Sequence, residues 1–110
     1  MKRCASKHGC YSIDPMPGQP QIALCHSLFV PVTLRGNGFG HRLKIEQMKV
    51  LVDQRYDFAL CTVDSTNLAQ KKVLTAAGWQ RLGDFANSRS GGRTEIWGWQ
   101  VTAGVAVHPD

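Results

Sequence analysis

Between Leu34 and Leu43 the chain reads LRGNGFGHRL, with glycines at positions 36, 38 and 40. The apolar run QIALCHSLFVPV precedes this stretch and an amphipathic run follows it. A strand that empties into glycines ahead of a helix start is suited to binding an anion. The first turn of a helix leaves backbone N–H groups unpaired, and the aligned peptide dipoles concentrate positive potential there. Glycines let phosphate oxygens approach the main chain closely. On this reading Gly36, Asn37, Gly38, Phe39 and Gly40 supply amides to a phosphate group, and Arg35 enters the loop as a cation. The nucleotide P-loop requires Lys and then Ser or Thr after its last glycine, whereas His41 and Arg42 follow here. The dinucleotide fingerprint GxGxxG places glycine where this chain has His41. The loop is GxGxG and fits neither.

Other residues carry chemistry less directly. Cys4, His8, Cys10 and the pair Cys25-His26 are zinc-type ligands, but no CxxC pair occurs. Structural zinc sites usually space their ligands more tightly, so no metal is expected. Nor is a disulfide expected in a chain that reads as intracellular. Cys25 and Cys61 are expected as small hydrophobes inside strands. Asn67 stands where a helix N-cap is needed. Arg42, Lys71 and Lys72 are cations on predicted helices, where solvated positions are the common outcome.

The elements that position these residues follow from periodicity. Residues 1–20 are rich in Pro, Gly, Ser and charge, and read as a short strand with a linker. Gln21 to Val32 is apolar nearly throughout, as expected of a strand buried on both faces. Pro31 cannot donate a ladder hydrogen bond, so the strand is expected to splay about there. From Gly38 to Asp53, Phe39, Leu43, Met48, Leu51 and Val52 recur at helical steps. Phe58 to Val63 is a second buried strand. A helix from Asn67 to Ala77 is expected to face inward with Leu68, Val73, Leu74 and Ala77, and Gly78 stands as its C-terminal stop. WQRLGDF and TEIWGWQV read as strands joined by the loop ANSRSGGR. Trp97 and Trp99 share one strand face and are expected in the core, or at a partner surface if exposed.

The order strand, helix, strand, helix, strand, strand predicts an α/β fold: one mixed sheet, a parallel crossover pair, and a terminal antiparallel hairpin. At 110 residues the chain holds one small domain, over residues 21–101, with 102–110 as a tail. No apolar run approaches the roughly 20 residues of a membrane helix. No apolar core follows the basic start MKRCASKHGC, so a cytoplasmic location is expected. The net charge of +5 is scattered and favours anionic ligands of any kind.

Two motifs together carry a family resemblance. LFVPVTLRGNGFGHRL is similar to the strand, pyrophosphate loop and helix of the GNAT superfamily of N-acetyltransferases. NLAQKKVLTAAGWQRLGDF resembles that superfamily's next helix, with a leading Asn, a Gly-aromatic pair after it, and a strand. The likeness runs from Ile22 to Val101. It implies a GNAT-like β-α-β-α-β-β core with splayed strands, acetyl-CoA as donor, and transfer of acetyl to an amine of a protein or small molecule. It further implies that main-chain groups of Leu28, Phe29 and Val30 pair with the pantetheine arm. The loop from Arg35 to Gly40 would hold the pyrophosphate, and Asn67 would touch the arm. His26, on the strand beside the reaction centre, is the candidate base, since imidazole titrates at about 6.5. Asp64 and Cys61 are weaker candidates for the chemistry.

The chain departs from the family pattern in several places. Residues 1–20 leave little room for the elements that wall the acceptor side, so a second copy or another macromolecule is expected to complete the groove. Leu74 stands where the family carries a Tyr that protonates the leaving thiolate. Pro31 sits one residue earlier than the family's usual proline. These departures keep open a non-catalytic interaction module. Nucleic-acid binding through the basic surface ranks last, because no recognised motif supports it.

Overall fold

The computed structural model describes residues 2–36 and 38–101. Asn37 and the expected tail at 102–110 lie outside the described residues. The strands are β1 (Lys2–Ser6), β2 (Gly9–Met16), β3 (Gln19–Phe29), β4 (Phe58–Asp64), β5 (Gln80–Ala86) and β6 (Arg93–Gln100). The helices are α1 (Phe39–Asp53) and α2 (Leu68–Ala76), and a short 3-10 turn covers Val32–Leu34. All six strands form one sheet in the order β1-β2-β3-β4-β6-β5. Only β3 and β4 pair in parallel, as a crossover through a helix requires. The hairpin of β5 and β6 is antiparallel, as the sequence predicts.

The first twenty residues hold more structure than the short strand and linker expected of them. Lys7 and His8 turn β1 back into β2, and Gly9 follows at φ 140°. A Cβ on Gly9 would lie 2.2 Å from the carbonyl oxygen of Phe29, so only glycine lets β2 pass there. Pro17 and Gly18 turn β2 into β3, with Gly18 at φ 80°. Prolines exclude a helix over this stretch, as expected, but they leave strand pairing intact up to the turn.

The two helices begin and end on the residues that the sequence marks. Asn67 accepts the Gln70 N–H at 3.1 Å as the α2 N-cap. Gly78 at φ 90° closes α2, with the Trp79 N–H on the Leu74 carbonyl at 2.9 Å. The inner faces are narrower than periodicity suggests. Leu43, Met48 and Leu51 are buried on α1, but Val52 lies at the surface; on α2 only Leu74 is buried, and Leu68 is exposed. Leu68 opens the first turn, before α2 has settled onto its neighbours.

The core gathers alternate residues of the strands beneath the helices: Ile13 on β2, Ala23 and Cys25 on β3, Ala59 and Val63 on β4. Trp97 belongs to this core, Trp99 packs against it, and Trp79 stacks on Trp99 at 6.2 Å between ring centroids. The tryptophans are therefore packing residues and present no exposed pair.

The splay of the sheet has a different origin from the one expected. Pro31 lies beyond the end of β3, at the start of the 3-10 turn. The strand is broken earlier, at Ser27, a non-glycine residue at φ 56°. Cys10 opposes Phe29, yet Ser12 opposes His26, so β3 has one residue more than β2 across this interval. This is a β-bulge, which bends its strand and re-aims side chains. On the other side β3 pairs with β4 only from Ile22 to Leu24, against Phe58 to Leu60. Beyond that register the two strands part.

Candidate active site

The parting of β3 and β4 opens two cavities that meet. The larger, about 540 Å³, lies between the end of β3, the glycine loop and the start of α2. Leu28, Phe29, Val30, Arg35, Gly36, Gly38, Phe39, Gly40 and Asn67 all line it. These are the residues named from the sequence, apart from His26, which lines the second cavity, and Asn37. His41, Ala69, Gln70 and Val73 line it too, and the motif reading missed them. The signal for Gln70 and Val73 was present, since they follow Asn67 at helical steps and face the same way.

The loop has the backbone that an anion site needs. Gly36 and Gly38 take left-handed conformations at φ 86° and 76°, which L side chains rarely adopt. A Cβ built on either meets nothing within 4 Å, so backbone geometry, not crowding, calls for glycine. Gly40 is helical, and a Cβ there would touch Val73 at 3.7 Å. Gly38 caps α1 without a side-chain bond, and the Arg42 N–H closes the first turn on its carbonyl at 3.2 Å. Helix geometry leaves the amides of Phe39, Gly40 and His41 without intrahelical acceptors. No acidic residue occupies this first turn. The positive end of α1 thus faces the cavity unopposed.

The cations near the loop divide into separate roles. The Nε of Arg35 donates to the Val30 carbonyl at 2.8 Å, and its guanidinium lies 5.4 Å from the Phe29 ring centroid. Arg35 thereby straps the loop to the end of β3. Arg42 lies over Phe39 at the same distance and is exposed. Lys71 pairs with Glu95 at 3.1 Å and is half-buried, not the solvated cation expected. Lys72 is exposed on α2.

The second cavity, about 260 Å³, lies in the gap itself and shares Leu28, Asn67 and Gln70 with the first. His26 and Ser27 line it from β3, and Cys61 and Asp64 from β4. The Nε2 of His26 is 2.5 Å from Oδ2 of Asp14, and its Nδ1 is 3.0 Å from Oγ of Ser27. A carboxylate only accepts, so Nε2 carries a hydrogen; in the neutral ring Nδ1 accepts from the Ser27 hydroxyl, and in the charged ring it donates to it. The bond from His26 holds the Asp14 carboxyl below the usual carboxylate value. The short N-terminal region thus supplies the partner of the candidate base. Asp14 was missed because the register of β2 on β3 is not visible in the sequence, even where YSID reads as a short strand.

Asp64 is committed to a neighbouring turn. Its Oδ1 accepts from the Thr66 N–H at 2.9 Å and from the Thr66 hydroxyl at 2.6 Å. Those bonds lower its carboxyl. Burial pushes the Cys25 thiol up to about 12 and raises that of Cys61, so neither is a ready thiolate. Cys10, Cys25 and Cys61 are free, and no group of metal-ligand side chains occurs among the described residues.

Lys44 lines the floor of this cavity and was not expected in the interior. It is 2% exposed. Its Nζ donates to Oε1 of Gln47 at 2.9 Å and sits 4.0 Å from the Trp79 ring centroid. No carboxylate of the described residues pairs with it, and burial pushes its amine down.

No protein-family model matches the sequence, and comparison with curated proteins gives no significant match. The fold nevertheless is that of GNAT acetyltransferases. The acetyltransferase of GNAT family from Streptococcus pneumoniae superposes with a TM-score of 0.70 at 16% identity, over 83% of this chain and 56% of that one. The Bacillus subtilis acetyltransferase in complex with CoA superposes with a TM-score of 0.72 at 13% identity, over 83% and 67%. The NatC complex bound to Gag peptide and CoA gives 0.73 at 18% identity, over 83% and 59%. The chain spans 56% to 60% of the length of three such solved structures.

Proposed function

We propose that this chain binds acetyl-CoA and transfers its acetyl group to an amine of a protein or small molecule. One observation carries the reading: the glycine loop, the end of β3 and the start of α2 surround a single cavity that continues into the gap between β3 and β4. Solved structures of the same fold, at low identity, are complexes with CoA, and one also holds a peptide.

The residues suit such a donor. First-turn amides of α1, behind two glycines with open space above them, match a pyrophosphate. Past Leu24 β4 no longer pairs with β3, and the side of the strand so left offers main-chain groups of Leu28, Phe29 and Val30 to an amide-bearing arm, the Val30 carbonyl being already bonded to Arg35. An arm lying there brings a thioester to the second cavity, beside His26. Acetyl transfer needs a neutral amine, donors aimed at the developing oxyanion, and a proton for the departing sulfur. His26, oriented by Asp14, serves as the base. Its neutral imidazole accepts the proton of the incoming amine and, once charged, is itself an acid.

Leu74 favours a second reading, in which the fold binds without turnover. It is wholly buried, so α2 presents no acid at the position where the resemblance implies one.

Isothermal titration with acetyl-CoA tests the proposal. Binding is expected in the micromolar range, and no heat at millimolar ligand overturns it. Gly38→Val places a β-branched residue at φ 76° and is expected to abolish binding with the fold retained by circular dichroism. Release of free CoA in the presence of a peptide or amine library then separates a transferase from a binding module.

A further inference from the structure

We propose that Lys44 and Gln47 form a carboxylate subsite at the floor of the gap cavity, and that one of the two substrates, the acyl thioester or the amine, carries a carboxylate into it. The inference rests on the acetyl-CoA reading above for its substrates, and on this chain's own residues for the subsite.

A lysine amine is seldom buried without a charged partner. Lys44 is 2% exposed, and Gln47 has no exposure. They stand three residues apart on α1, both line the gap cavity, and the Nζ of Lys44 donates to Oε1 of Gln47 at 2.9 Å. A charged amine has three hydrogens, and this is the one bond it makes among the described residues. The Nε2 of Gln47 has two hydrogens and gives one to the Ser12 carbonyl, at 3.4 Å. Every anion that could answer Lys44 from nearby is engaged or neutral. Asp64 is the one carboxylate among the described residues that line the cavity, and Thr66 holds it with two bonds. Asp14 is bonded to His26. The thiols of Cys25 and Cys61, which face the amine from β3 and β4, are kept protonated by burial. Desolvation therefore governs the amine and pushes it down.

A carboxylate suits this floor in charge and in bonding. Its two oxygens accept, and the amine and the amide both have hydrogens to give. A negative charge at hydrogen-bond distance offsets the desolvation of the amine, so Lys44 holds its proton once the ligand is in place. The pair would be buried, where a carboxylate is worth more than an uncharged group of the same shape because it relieves a cation that otherwise stands alone. At about 260 Å³ the cavity is smaller than the roughly 300–1,000 Å³ of pockets for drug-sized ligands, which favours a short acid. The donor cavity opens into it past Leu28, Asn67 and Gln70. Two sources supply the carboxylate: the far end of a dicarboxylic acyl group on the thioester, or an amino acid whose amine faces His26.

The test is isothermal titration of the full chain with paired ligands that differ by a carboxylate. Succinyl-CoA is set against acetyl-CoA, and each of a panel of amino acids against its amide with the chain saturated in CoA. A carboxylate on the acyl group is expected to make succinyl-CoA bind about tenfold or more tighter than acetyl-CoA, and one on the acceptor to give the same ratio between an amino acid and its amide. Either preference is expected to vanish in Lys44→Met, which keeps the length of the side chain, or in Lys44→Met/Gln47→Leu should the single variant fold poorly by circular dichroism. If neither pair shows a preference for the carboxylate, or the preference survives the loss of Lys44, the subsite is refuted and the acetyl-CoA reading stands. If neither CoA ester binds, that reading falls, and malonate decides the subsite instead. The Trp79 ring centroid lies 4.0 Å from the amine, so malonate is expected to change tryptophan fluorescence saturably in the parent chain and not in Lys44→Met; no such change overturns the subsite as well.

Discussion

Replacing Lys44 by Met separates the cost of a buried amine from the rest of the fold. The Nζ has one hydrogen bond, to Gln47, and the face of Trp79, with no carboxylate partner among the described residues. A cation on an aromatic face gains up to about 2 kcal/mol when desolvated, and the bond to Gln47 adds about 1 kcal/mol. Neither replaces hydration, so burial lowers the amine's affinity for protons. The sign follows from proton counting. Where the unfolded chain holds the proton and the folded chain does not, stability rises with pH. The penalty of Lys44 is therefore full below its folded value and fades as pH climbs toward the unfolded lysine value of about 10.4. Met has nearly the same length and no charge. Apolar replacement of buried ion pairs ranges from neutral to a gain of about 1–4 kcal/mol, a scale that bounds the gain at this unpaired amine, but Lys44→Met also orphans Oε1 of Gln47, at about 1–3 kcal/mol. The double variant Lys44→Met/Gln47→Leu removes that orphan. Its advantage over the parent chain in urea unfolding is expected to be largest near neutral pH. It should shrink toward about pH 10, with a slope no steeper than about 1.4 kcal/mol per pH unit. Cys25, raised to about 12, has the opposite trend: its contribution is present below the unfolded thiol value and lost as pH rises through the folded one. That term is common to both proteins and largely cancels in the difference. A stability difference that stays flat from about pH 7 to 10 refutes the claim that Lys44 is desolvated.

Two further outcomes follow from particular contacts. Asn67→Ala removes the α2 cap and is expected to cost about 1 kcal/mol in urea unfolding, with weaker acetyl-CoA binding by titration, since Asn67 lines both cavities. Leu74→Tyr restores a phenol at the expected acid position but overfills a site with no exposure, so it is expected to cost about 1–3 kcal/mol and not to raise CoA release; a gain in turnover would show that the position reaches the cavity.

The residues of the glycine loop and the start of α2 that line the larger cavity were legible in the sequence because each part is local. The glycine loop, the N-cap at Asn67 and the stop at Gly78 depend on residues within a few positions of one another, and the conformations they require are those of the residue types present. The chemical side was not legible. Asp14 meets His26 across twelve positions, through a strand register and a bulge that no single stretch encodes. Lys44 and Gln47 look like the polar face of an amphipathic helix, yet the rotation of α1 on the sheet buries both. Pro31 drew the break in β3 toward itself, because a missing N–H is visible in a sequence and a left-handed serine is not.

By itself, then, the sequence determined the elements from β3 to β6, their order, and the glycine turn that opens α1, since these follow from backbone chemistry over a few consecutive residues. Tertiary structure alone decided that β3 bulges at Ser27, that β3 and β4 part after Leu24, and that serine, histidine and aspartate come into line. Those outcomes depend on how distant segments share hydrogen bonds and buried volume, and the free energy of such pairing is a property of the whole sheet.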